Sequence, residues 1–348
     1  MIKKILPTMV GLALVGGMTA ASAEVTVFGH IDTSIDYKDP AYYTTTGTTT
    51  SPESDVNLNC TTCSIGFKGS EDLGNGLKAI FSLDFQYDTT ERNSSLTDRD
   101  QWLGLSGGFG QLRLGTISTG YKSHGAMIDP LYRTALQGRD RGLQSALHSG
   151  AGEELQGRAT NTIRWDSADY SGVKLVAHYT LDSGGSETDD PFGVGASYEN
   201  GGILVFGDYM NNNQSGPGMT AGWKVGGKYD MGMFSVMGQY EDLDDSLTWN
   251  DDVTIWHVAG GINGLLGMNL YLGYGQGDND DNGQGYTAWT LAVSHDFSKS
   301  AMVYAGFSQV DCDDVKPGAS LAACSEVDSS GSSGGEDDKF SLGMKLKF

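Results

Sequence analysis

Short runs in which apolar and polar residues alternate fill most of this chain. In the first run, residues 24–37 (EVTVFGHIDTSIDY), one face is apolar and the other carries His, Asp and Ser. The last run, residues 338–348 (DKFSLGMKLKF), repeats the pattern at the opposite end of the chain. Alternation with a period of two is typical of a β-strand whose two faces meet different surroundings. The sequence therefore predicts a protein built almost entirely of strands.

The breaks between these runs alternate strictly between long and short. Seven are short and turn-like, at residues 71–76, 107–110, 167–172, 200–202, 230–232, 263–267 and 296–300. Eight are generally longer and polar, at residues 39–62, 88–98, 119–156, 182–191, 211–220, 242–251, 277–285 and 311–337. Fifteen connections join sixteen strands. An even number of antiparallel strands, with long loops on one side and short turns on the other, predicts a transmembrane β-barrel.

Composition agrees with a thin wall rather than a packed core. Only 38% of the residues are hydrophobic, and 51 of the 348 are glycine. After the N-terminus, no run approaches the ~20 apolar residues that a membrane-spanning helix needs. A strand in lipid cannot leave its backbone groups unpaired, so the sheet has to close on itself. We expect lipid outside the wall and water inside it.

The chain begins with a segment typical of export. Residues 1–23 contain Lys3 and Lys4, then an apolar stretch, then Ala-Ser-Ala. This order predicts a secretory signal peptide that is cleaved, which leaves residues 24–348 as the barrel. The net charge of the whole chain is −22. So acidic a protein is a poor partner for nucleic acid.

Four cysteines lie in the exported part of the chain, where disulfides are expected. They allow three pairings, of which we favour Cys60–Cys63 and Cys312–Cys324. A Cys-Thr-Thr-Cys sequence also occurs in redox and zinc sites, but no second such motif and no nearby His accompany it. Residues 278–283 begin like a calcium loop, yet Trp289 stands where the loop needs a glutamate. We predict no cofactor and no metal site.

One long segment breaks the alternating pattern. Residues 119–156 are rich in charge and carry leucines and alanines spaced loosely as in short helical turns. A loop of this length is usually functional or structured in its own right. Sixteen strands also leave a lumen too wide for side chains to fill. Our hypothesis is that the segment folds into the lumen and narrows it; the alternative is a surface insertion.

Charged residues on this segment and on the facing wall are the candidate pore residues. On the wall, alternation points Lys68, Arg113, Arg158 and Arg164 inward. On the segment, the candidates are Asp129, Arg133, Arg139, Asp140, Arg141, Glu153 and Glu154. Basic wall residues facing acidic loop residues would create a transverse field that selects ions. Some of the arginines could instead hold the segment to the wall by charge-assisted hydrogen bonds. The sign of ion selectivity stays open.

Taken together, five motifs identify a family resemblance. They are EVTVFGHIDTSIDY, SIGFKGSEDLGNGLKAIFSLDF, DQWLGLSGGFGQLRLG, RATNTIRWDS and the terminal KF. The chain resembles the general porins of the Gram-negative outer membrane, of the neisserial and proteobacterial trimeric type. The resemblance implies passive diffusion of ions and small hydrophilic solutes through a sixteen-stranded barrel whose third external loop folds inward. The chain lacks the PEFGG-like loop motif of the enteric porins, so the detailed geometry of the constriction does not follow.

The resemblance also implies partners. It predicts a homotrimer embedded in outer-membrane lipid and lipopolysaccharide. It makes Phe348 part of the signal that the outer-membrane insertion machinery reads. A substrate-specific porin is the nearest alternative. An outer-membrane hydrolase and a secreted adhesin or lectin are more distant ones, because the six histidines are scattered and the long–short alternation is strict.

Overall fold

A computed structural model of the chain describes most of the residues after the leader. The described ranges are 24–40, 42–45, 48–50, 53–92, 95–153, 155–181, 190–212, 219–245, 251–279, 285–315 and 331–348. The predicted signal peptide, residues 1–23, lies outside them.

Strands account for nearly all of the regular structure. They are β1 Glu24–Asp39, β2 Tyr42–Thr45, β3 Thr48–Thr50, β4 Asp55–Cys60, β5 Ser64–Gly74, β6 Leu77–Gln86, β7 Thr97–Gly107, β8 Gly110–Ser118, β9 Arg158–Asp166, β10 Val173–Thr180, β11 Phe192–Asn200, β12 Ile203–Asn211, β13 Met219–Asp230, β14 Phe234–Asp245, β15 Asp251–Leu265, β16 Met268–Asn279, β17 Gly285–Asp296, β18 Ala301–Val315 and β19 Gly331–Lys347. The one α-helix among the described residues, α1, spans Gly120–Met127.

The sheet closes into a barrel of sixteen antiparallel strands. From β5 to β19 each strand pairs with the next, and β1 pairs with β19 from His30↔Lys347 to Asp39↔Asp338. β4 and β5 both pair with β1, so together they form one interrupted wall strand. β2 pairs with the first four residues of β19, and β3 pairs with β2. The predicted strand number and closure are confirmed.

The connections follow the predicted long–short order, with one difference. All seven short turns fall where the sequence places them. The first long connection, predicted as a loop over residues 39–62, contains β2, β3 and β4 instead. β2 and β3 are very short, so periodicity does not reveal them. β4 does carry a short alternation, with Val56 and Leu58 on one face, but it lies inside the segment predicted as a loop. The backbone of β2 pairs with the start of β19, and the backbone of β4 pairs with β1 as part of the wall.

The two faces of the wall differ as alternation requires. Leu103, Val225 and Leu342 point outward and are about half exposed or more. Alternate residues point inward, where Asp208 and Lys224 are buried by other parts of the protein. No helix in the described ranges is long and apolar enough to cross a membrane.

A β-bulge changes the inward-facing set on β7. Opposite Asp84 of β6, the pairing moves from Leu83↔Gln101 to Phe85↔Asp98, so Arg99 and Asp100 together face one residue. Bulges redirect side chains and bend strands. This one leaves Arg99 on the inner face, bonded to Asp84, although strict alternation places Arg99 outside.

Candidate functional site: a segment packed against the inner wall

The segment between β8 and β9 leaves and rejoins the wall at one point. The amide of Thr119 donates to the carbonyl of Gly157 at 3.0 Å, which joins the two ends. The Thr119 hydroxyl caps α1 by accepting from the Lys122 amide. Two 3₁₀ turns follow, Gly138–Asp140 and Ala146–His148. The segment is therefore compact, as the loose helical spacing of its leucines suggests.

Apolar side chains seal one side of the segment against the wall. Leu143 and Leu147 are at most 1% exposed and share a buried cluster with Leu243, Val253 and Ile255 of β14 and β15. A second cluster joins residues 128, 131 and 136 of the segment to Leu204 and Phe206 of β12. These wall residues occupy inward positions. The two clusters explain why β12 and β15 are apolar on both faces.

A buried polar network fastens the same side of the segment. Glu241 of β14 accepts hydrogen bonds from the Tyr121 hydroxyl at 2.8 Å and the Ser145 amide at 3.0 Å. Lys224 of β13 donates to His148 Nε2 at 2.9 Å. Burial, followed by the charge of Lys224, holds the pKa of His148 well below its usual range. His148 is therefore neutral, and its Nε2 accepts a hydrogen bond from the Lys224 ammonium.

A third attachment ties the segment to β18 and β19. Arg141 is buried and donates to the Asp337 carboxylate at 2.7 Å, the Asp337 carbonyl at 2.8 Å and the Ser308 hydroxyl at 3.0 Å. Nearby, Lys345 donates to the carbonyl of Tyr132 at 2.9 Å. With these contacts the segment spans the inner face from β12 round to β19. Arg133 of the segment also reaches β1, where it contacts His30. The inner faces of β5 to β9 lie opposite the strands that carry these attachments.

Two arginines on that opposite side stand beside carboxylates. Arg99 donates to Asp84 at 3.1 Å, and Arg158 donates to Asp100 at 2.6 Å. Both arginines are less than a tenth exposed. Each of these wall cations is therefore matched by one wall carboxylate, in the geometry of a charge-assisted hydrogen bond.

The segment presents further cations toward the same place. Arg133 lies within electrostatic range of Arg99, and Lys122 lies within range of both Arg99 and Arg158. Arg139 lies within range of Lys122. The Tyr132 ring lies between the Arg133 and Arg139 guanidinium groups, 5.6 and 5.2 Å from them. We call these three segment residues and the two wall arginines the constriction cations.

Lys122 is the least compensated member of this group. Among the described residues its ammonium forms no ion pair. Burial, followed by the charges of Arg158 and Arg139, lowers its pKa well below the ordinary lysine value. Burial is the main cause of this shift, and the neighbouring cations add to it.

Arg113 and Arg164 form a second basic pair on the wall. They sit directly opposite each other on β8 and β9, and both donate to Asp166. The Arg113 guanidinium also lies 5.2 Å from the Trp102 ring. Two cations share one carboxylate here, which leaves a further positive excess on the inner face.

Of the predicted acidic residues in the described part of the segment, Asp140 lies beside one of these cations, whereas Asp129 turns into the segment. Asp129 is buried and accepts from the amides of Leu131 and Gly138, so it caps a turn inside the segment. Burial raises its pKa to about 6. Asp140 is exposed and lies 3.7 Å from Arg139. Glu153 is half-buried, and Glu154 lies outside the described residues.

The remaining predicted residues lie away from the constriction cations. Lys68 is exposed on β5, with its ammonium 5.2 Å from the Phe28 ring. Phe348 is exposed at the seam, where its backbone pairs with Gly29. Cys60 and Cys63 form a disulfide. Cys312 is also disulfide-bonded, and its predicted partner Cys324 lies outside the described residues.

Sequence reasoning missed three residues of this site. Arg99 is hidden by the bulge, since alternation assigns it to the outer face. Lys122 lies in α1, where no period-two pattern applies. His30 is on the predicted inner face of β1 but was not singled out. The described residues contain no cluster of His, Cys, Asp and Glu that could hold a metal ion.

The fold and this site together define a class. A closed sixteen-stranded barrel with an apolar outer face, and charged groups around a segment packed on its inner wall, is an outer-membrane channel. The comparisons specify the family. The model of the Gram-negative porin family matches residues 9–315. The chain belongs to this family, and its place is the Gram-negative outer membrane.

Individual relatives agree in sequence and in fold. The chain is 28% identical over 319 residues to the major outer membrane protein P.IB of Neisseria meningitidis, which covers 87% of this chain and 93% of the relative. An anion-selective porin from Comamonas acidovorans superposes with a TM-score of 0.75 at 20% identity, covering 94% of this chain and 100% of the other. OmpT of Vibrio cholerae, in a trimer form, gives 0.69 at 15% identity, covering 94% and 100%.

Proposed function

We propose that segment 119–156 forms the constriction of this porin and that the constriction favours anions. The channel is water-filled and passes ions and small hydrophilic solutes by passive diffusion. The observation that carries the proposal is the surplus of positive charge where the segment faces β7 and β9. Arg99 and Arg158 each have a carboxylate partner, whereas Lys122 forms no ion pair within the described part of the chain.

The acidic mouth does not reverse this preference. The whole chain carries a net charge of −22, and acidic residues cluster at the strand ends next to the long connections, as at 242–245 of β14 and 336–338 of β19. At physiological salt, dissolved ions screen the interaction between exposed charges that lie more than about 8 Å apart. Where the passage is narrow and its walls approach an ion closely, the local charge acts with the least screening. A charged ring at such a point selects ions. The similar Comamonas structure is described as anion-selective, which agrees with this sign.

The oligomeric state and the membrane partners are proposed from the comparisons and from the outer surface of the barrel. We propose a homotrimer in contact with outer-membrane lipid and lipopolysaccharide, because a similar structure is a trimer and many outward residues of the barrel are apolar. We also propose that Phe348 serves as the assembly signal for the insertion machinery. Its side chain is half exposed. It is therefore available for recognition at the end of the last strand.

The test is the zero-current potential of the purified porin in a planar bilayer under a KCl gradient. For the wild type we expect a potential displaced toward the chloride equilibrium value. The double variant Lys122→Met/Arg139→Gln removes two constriction cations and should move it toward the potassium value. A matched control is Lys174→Gln. Lys174 is exposed near a short turn and pairs with Asp169, so this variant removes a positive charge away from the constriction.

Two results would contradict the proposal. One is a wild-type potential on the potassium side. The other is a double variant that behaves like the Lys174→Gln control. A substrate-specific porin would instead show conductance that saturates with one solute, so the same bilayers can be tested with solute series.

A further inference from the structure

The second wall strand, formed by β4 and β5, is interrupted at residues 61–63 by a bulge. β1 pairs Thr33 with Cys60 and His30 with Ser64. Three residues of the second strand, 61–63, therefore lie opposite two of β1. The Cys60–Cys63 disulfide spans this bulge, and Cys63 is fully buried. The disulfide holds the extra residue in a fixed shape.

The bulge holds the imidazole of His30. His30 lies on the inner face of β1 and is 1% exposed. Its Nε2 is 3.1 Å from the Thr62 hydroxyl, and its Nδ1 is 3.2 Å from the Ser64 hydroxyl. Thr62 lies inside the disulfide-bridged loop and Ser64 follows it directly. The position of this ring thus depends on the bulge.

His30 in turn contacts a constriction cation. Arg133 Nη1 lies 2.9 Å from His30 Nδ1. A guanidinium group has only donors, so Nδ1 must be the unprotonated acceptor. The ring proton is then on Nε2, which donates to the Thr62 hydroxyl. The contact with Arg133 therefore determines the tautomer, and the bulge determines the position of the ring.

Arg133 depends on this contact for its orientation. No carboxylate in the described ranges forms an ion pair with it. Its backbone adopts φ of 63°, a left-handed conformation that is unfavourable for a residue with a Cβ. The side chain of Gln137 accepts from its amide at 3.0 Å. A neutral partner holds the guanidinium in place without cancelling its charge.

We propose that His30, held by the disulfide-bridged bulge, is a positioning residue that fixes Arg133 at the constriction and so sets part of the ion selectivity. The inference rests on the proposed function, since it concerns the same cations. It links a disulfide in the wall to the charge that permeating ions meet.

The test uses two substitutions of His30, each of which replaces one of the two ring nitrogens with a side-chain amide. In His30→Asn the amide oxygen takes the place of Nδ1 and can still accept from Arg133. In His30→Gln the terminal amide takes the place of Nε2 and retains only the Thr62 contact. We expect the Asn variant to keep the wild-type zero-current potential. The Gln variant should shift toward potassium by as much as Arg133→Gln.

The disulfide has its own variant. Cys60→Ser/Cys63→Ser should shift the potential in the same direction as His30→Gln. Combining it with His30→Gln should add little, because residues that act through one network are not additive. The matched control is Cys312→Ser/Cys324→Ser, which removes the other cysteines and should leave the potential unchanged. Heat-dependent gel mobility verifies that each variant is folded.

Each outcome assigns the failure to one claim. Equal potentials for the Asn and Gln variants would overturn the role of His30, whether both are shifted or both unchanged. An unshifted Cys60→Ser/Cys63→Ser variant would overturn the role of the disulfide. If Arg133→Gln itself leaves the potential unchanged, the placement of Arg133 among the selecting charges fails. The wild-type sign tests the proposed function separately.

Discussion

At the scale of single residues, partners decide what each cation of segment 119–156 does. Arg141 has its donors directed at Asp337 and Ser308, so it is a fastener. Arg133 is held by a neutral imidazole, and Lys122 has no ion pair within the described ranges. The sequence shows equivalent basic residues in one loop. Only the geometry separates those that anchor from those that keep a free charge.

We predict that Lys122 makes the selectivity depend on pH. Because burial and neighbouring cations lower its pKa, Lys122 loses its proton at a lower pH than an ordinary lysine, whose pKa is about 10.4. Positive charge then disappears as pH rises through this lowered pKa. We expect the anion preference of the wild type to decline on alkalinisation before ordinary lysines titrate. Zero-current potentials measured from about pH 6 to about pH 10 check this.

Two variants make the pH test specific. Lys122→Met should start with a weaker anion preference and lose the pH-dependent part. Lys122→Arg should keep its charge throughout, because arginine stays protonated over this range. If Lys122→Met retained the wild-type pH profile, another group would be responsible for it.

At the scale of elements, the segment is stable because of the wall it covers. A helix as short as α1, with 8 residues, has little stability alone. Its fold depends on the apolar clusters around Leu143 and Leu147, and on the polar anchors at Glu241 and Arg141. Leu147 is fully buried. The inner wall thus serves as the other half of the segment's core.

Breaking the anchor at β18 and β19 should loosen the segment without reversing selectivity. Arg141→Met leaves Asp337 buried without its main partner, and removing one member of a buried pair costs about 3–5 kcal/mol. We expect frequent conductance fluctuations in single-channel records. Arg92→Met, an exposed change in an external connection, is the control and should remain quiet. An Arg141→Met channel as steady as the control would show that this anchor is dispensable.

The sequence predicts the strands well and the site only in part. Alternation locates the sixteen wall strands because lipid and water impose opposite demands on their faces. It fails at Arg99, where a bulge against Asp84 adds a residue. It also cannot show that Asp129 turns into its own loop, since hydrogen bonds to Leu131 and Gly138 determine that. Charged residues in an irregular loop follow no period, so the sequence does not show which way their side chains point.

At the scale of the whole molecule, the barrel separates two charge environments. In the function that we propose, the long connections and adjoining strand ends give an acidic mouth, and the segment with β7 and β9 gives a basic constriction. The same chain can thus carry a net charge of −22 and still favour anions at its narrowest point. The closed wall allows this separation, because it fixes the constriction at a depth where mouth charges are partly screened.

Deleting residues 126–151 tests the central claim most directly. The segment is joined at its base by the Thr119–Gly157 hydrogen bond, so its tip can be removed while β8 and β9 stay paired. We predict a several-fold rise in single-channel conductance together with a loss of most of the anion preference, in a barrel with normal heat-modifiable mobility. A folded deletion variant with wild-type conductance and wild-type zero-current potential would contradict the account.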